Sequence, residues 1–168
     1  MKKLIIVPAY NEEDNIKNTI QNLRLLHDYD FVIVNDCSLD CTLSITREQG
    51  AIFFNLANNL GIGGAVQTGY IYAEEHGYDI AVQVDADGQH DLGYLDALIK
   101  PIEEGKANIC IGSRFITKEG FQSTTIRRLG IGFLSNLIRL VTGHRILDVT
   151  SGFRAVDRMN ITNYWSTV

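Results

Sequence analysis

The stretch Ile80-Ala81-Val82-Gln83-Val84-Asp85-Ala86-Asp87 decides the fold, because a short apolar run leads here directly into two carboxylates. A run that is apolar except for Gln83 is typical of a strand buried on both faces of a parallel sheet. Ligands of such sheets bind beyond the carboxyl ends of the strands. In an extended chain, the side chains of Asp85 and Asp87 project to the same side. The stretch therefore predicts a buried strand that ends at an acidic ligand site.

Strand and helix patterns alternate on both sides of this stretch. Further strands are predicted at residues 3–7, 31–34, 51–54 and 108–112. Strands separated by helical patterns indicate βαβ units, so we predict an α/β fold with a mainly parallel sheet. The second strand ends at Asp36, which we expect at the same edge of the sheet as Asp85 and Asp87.

Four helices are predicted between these strands. The first follows Asn11 as its N-cap and extends to about Leu26. The second begins near Ser38 and Asp40 and stops before Gly50. The fourth spans residues 92–104. The third opens at the glycine-rich loop 58–64, with an inner stripe of Ile62, Val66, Gly69 and Ala73.

The composition is that of an ordinary globular protein, but charged residues are unevenly distributed along the chain. Of the 168 residues, 45% are hydrophobic and 21% charged, and the net charge is −5. Residues 1–113 carry 7 basic and 17 acidic side chains, whereas residues 114–168 carry 8 basic and 3 acidic ones. A basic C-terminal third predicts an anionic partner there, either phosphate groups or a membrane surface. Nucleic acid is disfavoured, because the basic residues are not interleaved with stacking aromatics.

The sequence contains no recognisable targeting or membrane-spanning segment. No stretch approaches the roughly 18 to 20 apolar residues of a spanning helix, and the apolar run after Met1 is too short for a secretory signal. The chain has three cysteines, Cys37, Cys41 and Cys110, an odd number that cannot all form disulfides within one chain. Their spacing completes no tetrahedral metal site, so reduced thiols are expected. We therefore expect a cytoplasmic protein.

Asp85 and Asp87 are the candidate metal ligands. Two carboxylates about 4 Å apart repel by roughly 4 kcal/mol at an effective dielectric near 20, and a divalent cation turns that repulsion into attraction. Oxygen ligands suit Mg²⁺ or Mn²⁺, which also take substrate phosphates as ligands. Gln89 and His90 follow within reach. The alternative is a solvated acidic turn, but the strand-end position favours a site.

The glycine-rich loop does not fit a dinucleotide fingerprint. A Gly-X-Gly-X-X-Gly motif that starts at Gly61 would need glycine at Val66. The alternative to a ligand-binding loop is that Gly63 and Gly64 allow close packing of the helix on the sheet. Residues 126–141 form a wide apolar arc flanked by arginines, for which a buried core helix is the first interpretation and an interfacial membrane helix the second.

Six motifs, taken in order, resemble the family-2 inverting glycosyltransferases with the GT-A fold, especially the polyprenyl-phosphate (dolichyl-phosphate-type) sugar synthase branch. They cover residues 4–157 and are more specific together than any one alone. They are Val7-Pro8-Ala9-Tyr10-Asn11-Glu12, Val34-Asn35-Asp36-Cys37-Ser38-Leu39-Asp40, Asn59-Leu60-Gly61-Ile62-Gly63-Gly64-Ala65, Asp85-Ala86-Asp87-Gly88-Gln89-His90, Ile111-Gly112-Ser113-Arg114-Phe115 and Asp148-Val149-Thr150-Ser151-Gly152-Phe153-Arg154.

The resemblance implies a GT-A, Rossmann-like α/β/α sandwich and a role for each matched residue. The acceptor phosphate would meet Arg114 with Arg127 or Arg128, and Asp148 would lie nearest the acceptor. Asp87 with Gln89 would bind the metal directly, and Asp85 would be shared between metal and nucleotide. The nucleotide-sugar pocket would be lined by Pro8, Tyr10, Glu12, Asp36, Gly63 and Asp85.

The chain departs from the family pattern at three places. Asn35 stands where the family usually has Asp, and Cys37 where it usually has Gly. The chain also stops soon after Arg154, whereas family members continue, some into membrane helices. We therefore expect residues 1–168 to be a single catalytic domain that is truncated at its C-terminus.

The resemblance implies metal-dependent transfer of a sugar from a UDP- or GDP-sugar, with inversion, to a polyprenyl phosphate. A phosphate acceptor is already ionised at neutral pH, because its second pKa is near 6, so it needs arginines such as Arg114 more than a base. A saccharide hydroxyl, as in cell-surface polysaccharide synthesis, would need a base such as Asp91 or Asp148. A nucleotidyltransferase is disfavoured, because no glycine-rich loop follows strand one. A non-catalytic sugar-nucleotide-binding module stays open, as does binding at the cytoplasmic face of a membrane.

Overall fold

The computed structural model describes residues 1–112 and 151–163. Its strands are β1 (Lys3–Ala9), β2 (Asp30–Asn35), β3 (Phe53–Asn55), β4 (Ile80–Gln83), β5 (Ile109–Ile111) and β6 (Arg154–Asp157). Its helices are α1 (Ile16–Leu23), α2 (Thr42–Glu48), α3 (Gly61–Glu75), α4 (Leu95–Glu103), which follows a 3₁₀ turn at Leu92–Tyr94, and α5 (Arg158–Asn163).

The strands form one sheet in the order β3-β2-β1-β4-β6-β5. β1 pairs in parallel with β2 and with β4, and β2 pairs in parallel with β3. β6 runs antiparallel between β4 and β5. The predicted α/β fold with a mainly parallel sheet is therefore confirmed. β6 was not predicted, because four residues with arginine and aspartate at the ends lack a clear strand pattern.

Helices cover both faces of the sheet, because the central strands alternate side chains between two apolar cores. On one face Ile5 and Val82 pack with α1 and α4, through residues such as Ile20 and Ile99. On the other face, the core around Leu4, Ile6, Val32 and Val34 packs with α3 and includes Ile161 of α5. The result is a three-layer α/β/α arrangement whose β1, β2 and β4 present their carboxyl ends together.

The predicted N-terminal cap of the first helix is wrong. α1 begins at Ile16, after Asn15, and not behind Asn11. Asn11 has φ 54, and its side-chain oxygen accepts the backbone N–H of Leu39 at 2.9 Å. Its side chain is therefore committed to the neighbouring loop and not to a helix end. The short polar side chain tolerates this left-handed backbone.

The inner stripe of α3 also needs correction. Val66, Gly69 and Ala73 are buried as predicted, but Ile62 is 58% exposed, because it lies at the mouth of a cleft. Close packing on the sheet occurs at Gly69, where a Cβ would collide with the side chain of Ile6. A Cβ on Gly63 would meet nothing within 4 Å, and one on Gly64 would meet only Leu60. The helix–sheet packing interpretation of those two glycines is therefore wrong.

No helix within residues 1–112 and 151–163 combines the length and the apolar character that crossing a bilayer requires. The predicted helix at residues 126–141 lies outside the described residues.

Candidate functional site

A cleft opens where β1, β2 and β4 end, the edge at which parallel α/β sheets bind ligands. Its volume is about 570 Å³, counted out to its open mouth. The cleft runs from the β1 and β2 ends on one side to the acidic turn, residues 85–87, on the other. It is lined by Pro8, Ala9, Tyr10, Glu12, Asp36, Ile62, Ala65, Asp85, Ala86 and Asp87.

Backbone hydrogen bonds tie the loop after β1 to the loop after β2. The N–H of Glu12 donates to Thr42 Oγ1 at 2.8 Å, and the N–H of Glu13 donates to Asp40 Oδ2 at 3.0 Å. In return, the N–H of Cys41 donates to Glu13 Oε2 at 2.9 Å. These reciprocal bonds fix the position of Glu12 at the cleft.

Asp40 is central to this loop contact. It also accepts the backbone N–H of Thr42 at 2.9 Å. Burial raises the pKa of the Asp40 carboxyl, but the hydrogen bonds from Thr42 and Glu13 stabilise its ionised form and hold the pKa below its ordinary value. The ionised carboxylate is therefore part of the folded loop structure.

Asp36 is held rigidly at the end of β2. The residue is 3% exposed, its backbone N–H donates to the carbonyl of Ala9 at 2.9 Å, and its Oδ1 accepts the N–H of Leu60 at 2.7 Å. The last of these bonds links the β2 end to the loop before α3. Asp36 thus joins three segments of the cleft wall.

The acidic turn is not an extended strand end, because β4 ends at Gln83 and residues 86 and 87 form a turn. The extended geometry expected for Asp85 and Asp87 is therefore wrong. The chain must turn after Val84 to reach the 3₁₀ segment at Leu92, and Gly88 supplies the positive φ of 72 that this path requires. Both carboxylates nevertheless line the cleft.

The two carboxylates have different partners. Asp85 Oδ1 accepts from Gln83 Nε2 at 3.1 Å, and its Oδ2 lies 3.5 Å from His90 Nε2. Asp87 Oδ1 accepts the backbone N–H of Gln89 at 2.9 Å. Asp85 is therefore oriented by side chains on both of its oxygens, whereas the bond to Asp87 belongs to the turn itself.

The segment that leads into β6 packs against the acidic turn, a contact that was not predicted although residues 151–154 belong to the last of the six motifs. A Cβ on Gly152 would lie 2.7 Å from Asp85 Cγ and closer still to both carboxylate oxygens. The Phe153 ring lies 5.1 Å from the His90 ring, centroid to centroid. The signal was present in the motif Ser151-Gly152-Phe153-Arg154, where a glycine at a strand start marks a close approach.

The residues present fit a divalent cation of the Mg²⁺ or Mn²⁺ kind. Within the described ranges, no group of three or more His, Cys, Asp or Glu residues is arranged to hold a metal alone. Mg²⁺ in proteins is usually held by one or two carboxylates and completed by substrate phosphates and water. The oxygen donors of Asp85 and Asp87 at an open cleft match that donor set.

Six of the predicted donor-side residues meet at this cleft: Pro8, Tyr10, Glu12, Asp36, Asp85 and Asp87. Gly63, Gln89 and Asp91 are not among its lining residues. Gln89 is exposed, and Asp91 Oδ1 accepts the N–H of Gly93 at 2.9 Å at the start of the 3₁₀ turn. The acceptor-side predictions, Arg114, Arg127, Arg128 and Asp148, lie outside the described residues.

Residues 4–165 match the family described as Glycosyl transferase family 2. The chain is 35% identical over 173 residues to a UDP-N-acetylglucosamine–dolichyl-phosphate N-acetylglucosaminyltransferase of Methanococcus voltae, covering 92% of this chain and 68% of that protein. It is 30% identical over 162 residues to an undecaprenyl-phosphate mannosyltransferase of Micrococcus luteus, covering 92% and 66%. An uncharacterized protein of Methanocaldococcus jannaschii is 34% identical over 152 residues, covering 90% and 63%. The chain thus spans 63% to 68% of the length of these relatives.

A solved structure shows a related fold. Glucosyl-3-phosphoglycerate synthase from Mycobacterium tuberculosis, in complex with Mn²⁺, uridine-diphosphate-glucose and phosphoglyceric acid, matches with a TM-score of 0.72 at 19% identity, covering 94% of this chain and 57% of that one. This likeness concerns the fold alone and confirms the GT-A architecture. Together, the match over residues 4–165 and the identity to the curated relatives show that the chain belongs to glycosyl transferase family 2.

Proposed function

We propose that this chain is the catalytic domain of a glycosyltransferase that moves a sugar from a nucleotide-diphospho-sugar to a polyprenyl phosphate, with inversion at the anomeric carbon. The observation that carries the proposal is the cleft between Asp36 and the acidic turn, in a chain of this family. Two relatives support the acceptor class, since their names specify dolichyl phosphate and undecaprenyl phosphate.

The two ends of the cleft suit the two ends of a nucleotide donor. Pro8, Tyr10, Glu12 and Asp36 would hold the nucleoside, and the loop hydrogen bonds described above keep Glu12 in place for that purpose. Tyr10 is 45% exposed at the mouth, where its ring is available to a base. The diphosphate would then lie towards the acidic turn.

Asp85 and Asp87 would hold Mg²⁺ or Mn²⁺, since both line the cleft and their oxygens suit such a cation. A protein of related fold has been solved with Mn²⁺ and uridine-diphosphate-glucose. When bound, the cation supplies positive charge for the diphosphate leaving group. Two carboxylates facing a diphosphate without a cation would repel it, so donor binding should depend strongly on metal.

The acceptor side requires positioning more than proton removal. A polyprenyl monophosphate is largely doubly ionised at neutral pH, since its second pKa is about 6, and its oxygen can attack without a strong base. Arg114 with Arg127 or Arg128 would place that phosphate, and Asp148 would lie beside it. With a saccharide hydroxyl as acceptor, Asp91 or Asp148 would have to act as general base. We place the reaction at the cytoplasmic face of a membrane, where the basic C-terminal third would meet anionic lipid.

Donor binding, sugar transfer and the anomeric configuration of the product are each tested by a separate measurement. Isothermal titration of UDP and GDP with and without Mn²⁺ should show binding of one nucleotide that requires the metal. A panel of nucleotide sugars should then yield labelled polyprenyl-phosphate sugar, with no product from the dephosphorylated polyprenol, and NMR of the product gives the anomeric configuration. Nucleotide binding without any sugar transfer would favour the non-catalytic sugar-nucleotide-binding module, and absence of metal-dependent nucleotide binding would refute the proposal. Unchanged lipid transfer in both Arg114→Ala and Arg127→Ala would refute the acceptor assignment.

A further inference from the structure

We propose that His90 is a positioning residue, which holds the acidic turn in the geometry that donor binding needs without touching the donor itself. This inference rests on the proposed function, because it assigns His90 a part in metal-dependent nucleotide binding. It starts from the observation that one imidazole faces both the backbone and the carboxylate of Asp85.

The two ring nitrogens of His90 contact different groups of Asp85. The backbone N–H of Asp85 donates to Nδ1 at 3.1 Å, and Nε2 lies 3.5 Å from Asp85 Oδ2. A backbone N–H can only donate, so Nδ1 must accept and carries no proton. The neutral ring then carries its proton on Nε2, which faces the carboxylate. A single tautomer therefore satisfies both contacts.

Packing holds the ring in this orientation. The His90 side chain is only 7% exposed, and the ring of Phe153 lies 5.1 Å away at an angle of 39°. Phe153 is itself 9% exposed and belongs to the apolar core. Its backbone is pinned on both sides, because its N–H donates to Ser151 Oγ at 3.3 Å and its carbonyl accepts the N–H of Gly112 at 2.7 Å. Phe153 is therefore held in place by its backbone bonds, and its ring holds the His90 ring against the acidic turn.

The consequence reaches Asp87 through the backbone. Asp87 is two residues from Asp85, and its own bond to the N–H of Gln89 lies within the turn. The contacts of His90 thus join this turn to the segment that leads into β6, beside the hydrogen bond from Thr19 Oγ1 to the carbonyl of Ala86 at 2.9 Å, which joins it to α1. Side chains that orient ligands in this manner typically contribute about 10- to 100-fold to metal affinity or activity.

The matched variants are His90→Phe, His90→Asn and His76→Phe. Phenylalanine keeps a ring against Phe153 but removes both nitrogens. Asparagine keeps an acceptor in the place of Nδ1. His76 is an exposed histidine on the far end of α3, so His76→Phe controls for the loss of an imidazole. Thermal melting identifies variants that fold.

The readout is the affinity for UDP and for GDP in the presence of Mn²⁺, measured by titration calorimetry. We expect His90→Phe to lose about 10- to 100-fold, His90→Asn to bind more tightly than His90→Phe, and His76→Phe to match the original chain. An affinity for His90→Phe within about twofold of the original chain, or equal losses in His90→Phe and His90→Asn, would overturn the proposal.

A second measurement does not depend on nucleotide binding, and it can be made even if the His90→Phe variant does not fold. In a chain labelled with ¹⁵N-histidine, the ring signals that disappear in His90→Asn belong to His90. The geometry requires that Nδ1 accept from the N–H of Asp85 and that Nε2 carry the ring proton, and a ring proton on Nδ1 would overturn the proposal. If the original chain binds neither nucleotide with Mn²⁺, the proposed function fails, and the tautomer still decides whether His90 holds Asp85.

Discussion

The backbone of Gly152 lies directly against the carboxylate of Asp85, so closely that no side chain fits between them. An added Cβ would approach Asp85 Cγ to 2.7 Å and both oxygens more closely still. Because β4 and β6 are antiparallel neighbours with Gln83 opposite Arg154, the segments just beyond these two residues meet, and this contact brings together positions almost seventy residues apart. The position of one acidic side chain of the cleft therefore depends on a residue of the returning strand.

Gly152→Ala is expected to displace Asp85 while leaving the fold intact. The obstructing atoms are the end of a rotatable side chain that is 28% exposed, so Asp85 can turn away at little cost. We expect a change in unfolding free energy below about 1 kcal/mol and a loss of about 10- to 100-fold in Mn²⁺-dependent nucleotide affinity. Calorimetric titration with UDP and GDP, beside a thermal melt, measures both. An unchanged affinity would mean that the orientation of Asp85 is immaterial to binding.

The sequence alone was sufficient to predict the parallel part of the sheet and the cleft. The apolar run at 80–84 and the acidic residues at the ends of two strands identify the ligand edge, because side-chain periodicity and strand direction are local properties. Asp36, Asp85 and Asp87 do meet there.

Contacts between segments that are distant in the sequence could not be predicted from local patterns. Asn11 looks like a helix cap until its side chain is seen to bond the loop after β2. β6 has too few residues to show a strand pattern, and its place beside β4 is decided by pairing across the sheet. The support that His90 and Gly152 give to Asp85 is tertiary in the same sense: the glycine of the Ser151-Gly152-Phe153-Arg154 motif indicates a close approach, but the sequence does not show that Asp85 is the residue approached.

Asp87→Asn tests which groups bind the metal. Asparagine keeps the side-chain oxygen that accepts from the N–H of Gln89, so the turn should survive. Loss of the charge should lower Mn²⁺-dependent nucleotide affinity by at least about tenfold. In EDTA, without metal, we expect Asp87→Asn to bind nucleotide more tightly than the original chain, because removing one of two carboxylates reduces repulsion of the diphosphate. Titrations with Mn²⁺ and with EDTA check the two signs, and equal metal dependence in Asp87→Asn and the original chain would exclude Asp87 as a ligand.

Gly69→Ala should lower stability and leave nucleotide affinity unchanged, the opposite of what we expect for Gly152→Ala. Here the added methyl collides with Ile6, a fully buried side chain of the central strand. Alanine favours a helix by up to about 1 kcal/mol over glycine, but forcing a methyl into a packed core costs about 1 to 3 kcal/mol. We expect net destabilisation in urea unfolding, with nucleotide affinity unchanged where the protein is folded. A stabilised variant would show that α3 can move away from the sheet.

Asp40→Asn should destabilise the chain by about 1 to 2 kcal/mol at neutral pH, because the amide has one accepting oxygen: one of the N–H groups of Glu13 and Thr42 loses its acceptor, and the other donates to an uncharged one. The folded pKa of Asp40 is lowered, by the bonds from Thr42 and Glu13 acting against burial. A carboxyl of this kind stabilises the fold above its unfolded pKa of about 3.9, and the contribution disappears as the pH falls through the lower folded value. The difference between Asp40→Asn and the original chain in urea unfolding should therefore be constant from pH 7 to about 5 and shrink below about pH 4. Asp14→Asn removes the same charge from an exposed position of the neighbouring loop and serves as the control for the loss of one negative charge. A difference that grew on acidification would mean that Asp40 does not accept these bonds as a carboxylate.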